Sequence, residues 1–118
     1  MSHGRAHLSA ASLAKAAPVF TALGDATRLH IVSRLCQEGP LSIARLTDGT
    51  ELSRQAVTKH LRTLSDAGLA TCDRSGREQR WRIEARRLGE VRRLLGQIAA
   101  QWDHALARLT AFVERQET

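Results

Sequence analysis

Apolar positions along the chain change period several times, and each change predicts an element. From Leu8 to Ala17 the pattern fits a short helix. Pro18 opens a further helical stretch to Leu23, because proline is tolerated at the first helical position, and Gly24 breaks it. Asp25 is an N-cap for a helix carrying Leu29, Ile31, Val32 and Leu35 and ending near Gln37, and Gly39-Pro40 stops it. Ser42 is an N-cap for a short helix through Ile43, Leu46 and Thr47. Asp48-Gly49-Thr50 reads as a turn. Ser53 caps a longer helix with Val57, Leu61 and Leu64 on one face, and Gly68 ends it in a left-handed conformation.

The period then shortens. Leu69 to Asp73 predicts a strand, Arg74-Ser75-Gly76-Arg77 a turn, and Gln79 to Ile83 the return strand of a hairpin with a basic tip. From Ala85 to about Glu114 one long helix is predicted. Its apolar positions Leu88, Val91, Leu95, Ile98, Trp102, Ala105, Leu109 and Phe112 alternate steps of three and four, a heptad seam. Leu94, Leu106 and Val113 widen the stripe. A lone helix cannot bury so wide a face on a small domain, so part is expected to pack on the chain's own core and part on a second copy.

Helix, turn, helix, hairpin and long helix, in that order, form the winged helix-turn-helix plan. The expected fold class is therefore mainly α with a small β-hairpin and a long C-terminal dimerisation helix. Residues 1–17 are read as an N-terminal helix or arm, 18–84 as the DNA-binding core and 85–118 as the dimerisation helix, within a single structural domain.

Charge sharpens this picture. The 118 residues carry 18 Lys+Arg and 12 Asp+Glu, a net charge of +6. Between Ser53 and Arg93 stand eleven basic residues and five acidic ones, so this one window holds the whole excess. Ten of the eleven are arginine, suited to bidentate contacts with phosphates and guanine edges. A solvated charged face is the plain alternative. The aromatics are Phe20, Trp81, Trp102 and Phe112, few for a protein that stacks single-stranded bases, which favours duplex DNA as the partner.

On the helix after Ser53, the apolar face leaves Ser53, Arg54, Gln55, Thr58, Lys59 and Arg62 pointing outward. Arg54 is a candidate reader of guanine and Gln55 of adenine; Ser53, Thr58 and Lys59 suit phosphates or base edges, and Arg62 is a further DNA-binding candidate. Arg74 and Arg77 flank the hairpin tip, where a wing reaches phosphates or the minor groove, and Arg80 and Arg82 share a face of the return strand. These charges also serve simply to block strand pairing at an edge. Ser42 reads equally as a phosphate-binding helix start and as a plain cap. His60 is read as hydrogen-bonded within the fold.

Phe20-Thr21-Ala22-Leu23-Gly24-Asp25-Ala26-Thr27-Arg28-Leu29 resembles the opening "F-x-A-L-x-D-x-T-R" of the arsenic-repressor (ArsR) family. Ser53-Arg54-Gln55-Ala56-Val57-Thr58-Lys59-His60-Leu61, followed by Leu64 and Ala67-Gly68-Leu69, is similar to that family's recognition helix and strand entry. The resemblance covers roughly Val19 to Ile83. It implies a dimeric transcriptional repressor that binds an inverted-repeat operator and occludes RNA polymerase. A winged-helix protein-interaction module without specific DNA binding is the alternative.

Family members often sense metals, but neither familiar ligand arrangement is present. Ile43-Ala44-Arg45-Leu46 holds no cysteine pair, and Asp103-His104 on the last helix are adjacent, with no further histidine after them. His104 is read as a surface or interface residue, and His3, His7 and His30 form no ligand spacing. Cys36 and Cys72 belong to no CxxC pair and are expected as buried structural thiols. No metal or cofactor is expected, and an unknown small-molecule or redox effector is left open. No paired carboxylates, nucleophile elbow or phosphate-binding glycine loop suggest an enzyme. No apolar run reaches membrane-spanning length and no signal-peptide core is seen, so no membrane partner and a cytoplasmic location are expected.

Overall fold

The computed structural model describes residues 8–117. His3, His7 and the first part of the expected arm lie outside the described residues. The first helix, α1, spans Ala10–Leu23, with the Ser9 side chain accepting from the Ser12 amide at 3.0 Å. Pro18 lies inside α1 rather than opening a second helix. Proline removes one N–H from the helical ladder. The helix nevertheless continues, because Val19 and Ala22 just beyond are buried in the core.

Helix α2 spans Ala26–Glu38, and Asp25 Oδ1 caps it by accepting from the Arg28 amide at 3.0 Å. Ile31, Val32 and Leu35 are buried, whereas Leu29, expected on the same face, is 51% exposed. Leu29 sits about 160° around the helix from Ile31, using 100° per residue, so the narrower core stripe leaves it out. Gly39 ends α2 at φ 83°. Helix α3 (Ile43–Thr47) is capped by Ser42, and α4 (Arg54–Asp66) by Ser53. Val57, Leu61 and Leu64 anchor α4 by complete burial. At its end Gly68 takes φ 80°, and the Leu69 amide reaches back to the Leu64 carbonyl at 2.9 Å.

Strands β1 (Ala70–Ser75) and β2 (Glu78–Ile83) pair antiparallel, from Ala70 opposite Ile83 to Ser75 opposite Glu78. The loop is only Gly76-Arg77, shorter than the expected four residues, because Gly76 adopts φ 64° and closes the turn in two. Arg74 consequently lies within β1, opposite Gln79. Leu41 and Trp81 exchange backbone hydrogen bonds of 2.9 and 2.8 Å, fastening the segment before α3 to the hairpin.

Helix α5 runs Ala85–Glu117, three residues beyond the expected end. Val91, expected at the dimer seam, is buried in the chain's own core, and Leu88 packs partly against that core. Both lie at the base of α5, where the helix still crosses the domain. Past Leu94 the apolar stripe leaves the core: Leu95, Trp102, Leu106, Leu109, Phe112 and Val113 are exposed, Trp102 by 65%. Ile98 is half-buried and Ala105 exposed. The molecule is accordingly elongated, 69 × 35 × 22 Å. Among the described residues, no helix is long and apolar enough to cross a membrane.

Candidate nucleic-acid interface

The inward anchoring of α4 determines what it offers outward. With Val57, Leu61 and Leu64 buried, Ser53, Gln55, Thr58, Lys59 and Arg62 line one shallow depression on the opposite side. Arg54, at the first helical position, is exposed on its flank. Their hydrogen-bonding capacity is unequal. The Thr58 hydroxyl donates to the Arg54 carbonyl at 2.7 Å, so its remaining capacity is as an acceptor. The Ser53 hydroxyl accepts from the Ala56 amide at 3.1 Å and keeps its proton for a partner. Ser42 Oγ similarly accepts from the Arg45 amide at 3.2 Å, the geometry of a plain cap.

Charge pairing separates the arginines further. Among the described residues, Arg54, Lys59, Arg62, Arg74 and Arg77 form no ion pair. Arg80 lies 3.4 Å from Glu78 in a solvent-exposed pair, which solvent screens. Arg82 is held between acids: Nε donates to Asp73 and a terminal nitrogen lies 3.3 Å from Glu84. Asp73 sits directly opposite Arg80 in the ladder, yet its carboxylate reaches diagonally to Arg82. The bonds from Asp73 and then Glu84 raise the Arg82 pKa. The Thr71 hydroxyl, at 2.8 Å, and Arg82 together lower that of Glu84. Arg80 and Arg82 do share one face of β2, as alternation requires, but Arg82 already has its counter-ions there. Arg74 projects on the other face of the hairpin, with Cys72 and Gln79.

His60 is turned into the fold. Its Nδ1 lies 3.4 Å from a terminal nitrogen of Arg28, whose Nε donates to the Ala22 carbonyl. Arg28 also approaches Asp25, whose carboxyl pKa is lowered first by the bond from the Arg28 amide. Arg28 thus ties the α1–α2 corner to the recognition helix. Its position inside the Phe20–Leu29 stretch was a sequence signal for importance but not for this role. Both cysteines are exposed, against the expectation of buried thiols. Cys36 lies off the Ile31–Leu35 face of α2, and Cys72 is exposed although Trp81, directly opposite it in the ladder, belongs to the core. Among the described residues, no group of three or more His, Cys, Asp or Glu is placed to hold a metal ion.

A short α3, a turn, a recognition helix α4 and a β-hairpin wing define a winged helix-turn-helix protein. The family model described as a helix-turn-helix domain matches residues 23–73. The chain is 33% identical over 96 residues to the HTH-type transcriptional regulator Rv2034 of Mycobacterium tuberculosis, covering 80% of this chain and 85% of that protein. It is 39% identical over 57 residues to the arsenical resistance operon repressor of Bacillus subtilis, covering 48% and 54%. An ArsR-like transcriptional regulator from Rhodococcus sp. RHA1 superposes with a TM-score of 0.78 at 36% identity, covering 91% of this chain and 97% of that one. The homodimeric winged helix-turn-helix DNA-binding domain Mb0332 of Mycobacterium bovis, a possible ArsR-family regulator, superposes at 0.62 with 27% identity, covering 81% and 91%. The chain belongs to the ArsR family of helix-turn-helix transcriptional regulators.

Proposed function

We propose that this chain acts as a homodimeric repressor that binds an inverted-repeat operator in duplex DNA. The observation that carries the reading is the exposed, unpaired basic surface of α4 and the hairpin tip, set on a recognition helix fixed by three buried residues. In this reading Arg54 and Gln55 read base edges in the major groove, Ser53, Lys59 and Arg62 hold phosphates or neighbouring edges, and Thr58, its proton committed to the Arg54 carbonyl, accepts from a base-edge donor. Arg77, at the tip, reaches backbone or minor groove, with Arg74 and Arg80 beside it. Ser42 serves chiefly as a cap.

The second copy is supported by the exposed apolar stripe of α5 from Leu95 to Val113. A stripe of this length on an isolated helix would be left in water, and pairing with its symmetry mate buries it. Regulation by a small-molecule or redox effector belongs to the same reading, with the exposed thiols of Cys36 and Cys72 accessible to oxidants.

Fluorescence anisotropy tests this with the duplex upstream of the chain's own gene and a scrambled duplex, across a salt series. The expected result is binding that weakens steeply with salt and favours the operator by about 10³-fold or more. Failure to bind either duplex at low salt would replace this reading with a protein-interaction module.

A further inference from the structure

A depression outside the DNA-facing surface lies where α2, the end of β2 and the base of α5 meet. Its volume is about 580 Å³, and Leu35, Pro40, Ile83 and Leu88 give it a largely apolar lining. That size falls within the range of roughly 300–1,000 Å³ common to small-ligand sites. The space around the lining glycines is open. A Cβ at Gly39 would meet nothing within 4 Å, and one at Gly89 only the Arg93 guanidinium at 3.9 Å.

The charge in the groove is one-sided. Arg82 and Arg92 line it and no acidic residue does. Arg82 is already matched by Asp73 and Glu84. Arg92 is exposed and forms no ion pair among the described residues. An apolar lining beside one uncompensated guanidinium complements a molecule with a hydrocarbon body and an anionic head. Guanidinium binds a carboxylate through two parallel hydrogen bonds, and the hydrocarbon gains by leaving water.

We propose that this groove binds a small amphiphilic carboxylate, its head on Arg92 and its chain against Leu35, Ile83 and Leu88. A nucleic-acid backbone would lay successive charges on the apolar lining, and an inorganic anion would leave that lining unused. The site does not depend on the DNA-binding reading.

The exposed thiol of Cys36 also lines the groove, whereas that of Cys72, on β1, does not. The two cysteines therefore form a reporter and its internal control. The experiment measures their iodoacetamide alkylation rates in the full chain by peptide mass spectrometry, with octanoate, octanol or octyltrimethylammonium present. At about 1 mM octanoate, Cys36 alkylation is expected to slow about fivefold with Cys72 unchanged, as mass action gives for a site about four-fifths filled. Octanol should protect less and the ammonium least. Arg92→Gln, at an exposed position, should erase the preference for octanoate over octanol, each ligand's protection being taken relative to that variant's own unliganded rate. The proposal is overturned if octanoate leaves Cys36 unprotected, slows both cysteines alike, protects no better than octanol, or protects Arg92→Gln as it does the parent.

Discussion

The guanidinium of Arg28 on α2 stands 3.4 Å from Nδ1 of His60 on α4, and the same side chain bonds the Ala22 carbonyl at the end of α1. One residue thereby links the recognition helix to α2 and to the end of α1. Arg28→Ala leaves that carbonyl without its donor and is expected to lower stability by about 1–3 kcal/mol. Urea unfolding gives the number. An unchanged midpoint would mean that core packing alone positions α4.

The hairpin arginines should differ in their effect on DNA affinity. Arg77, at the tip without a counter-ion, should contribute more than Arg82, which Asp73 and Glu84 already hold. Arg77→Ala and Lys59→Ala are each expected to reduce the log–log salt slope by about 1, and Arg54→Ala to relax sequence preference at one position. Anisotropy titrations at several salt concentrations separate the cases. A larger loss for Arg82→Ala than for Arg77→Ala would contradict the counter-ion argument.

Trp81 is nearly buried, and its indole N–H has no hydrogen-bond partner. Trp81→Phe removes that unpaired donor while leaving a small void, so the two effects oppose and the net change is expected to stay within about 1.5 kcal/mol. Trp81→Ala opens a far larger void and should cost about 3–5 kcal/mol. Thermal or urea unfolding of the pair distinguishes them; equal losses would show that the aromatic ring is not what fills the site.

The stability of the fold should also fall in acid. Folding lowers the carboxyl pKa of Asp25 chiefly through the Arg28 amide, of Glu38 chiefly through Arg34, and of Glu84 chiefly through Thr71. Such contributions are complete above the unfolded values, 3.8 for Asp25 and 4.5 for the two glutamates, and vanish as pH drops through the lowered folded ones. The part of the stability these three carboxylates supply should be lost as pH drops below about 4.5, and the loss should be smaller in Thr71→Val. A midpoint that rises on acidification would reverse the sign of this account.

Local signals are legible in the sequence where a single residue decides the outcome. Asp25, Ser42 and Ser53 each accept from the amide three residues on, and Gly39 and Gly68 take positive φ. What the pattern lacked was the identity of the neighbour. Periodicity marked Val91 as apolar but not as part of the chain's own core. Counting charges marked Arg82 as basic but not that Asp73 reaches it diagonally across the hairpin. Pro18 reads as a boundary because its local cost is visible in sequence, while the burial of Val19 and Ala22 that offsets it is not. The α4 candidates Ser53, Gln55, Thr58, Lys59 and Arg62 came together on one surface, since a single helix places them by its own geometry.

The exposed half of α5 offers the test of self-association. A charge at Trp102 or Leu109 would stand inside an apolar seam, so Trp102→Glu and Leu109→Glu are expected to yield monomers with helical content preserved. Sedimentation equilibrium alongside circular dichroism reads both properties. Dimers that persist in both variants would place the contact elsewhere.

Helix α5, at 33 residues, is about 50 Å long, and only its base is embedded in the domain. From Gly96 outward the arm measures roughly 33 Å, so a tilt of about 5° at the base would carry the tip by about 3 Å. A displacement too small to disturb packing at the junction of α2, β2 and α5 would therefore be magnified at the far end of the arm.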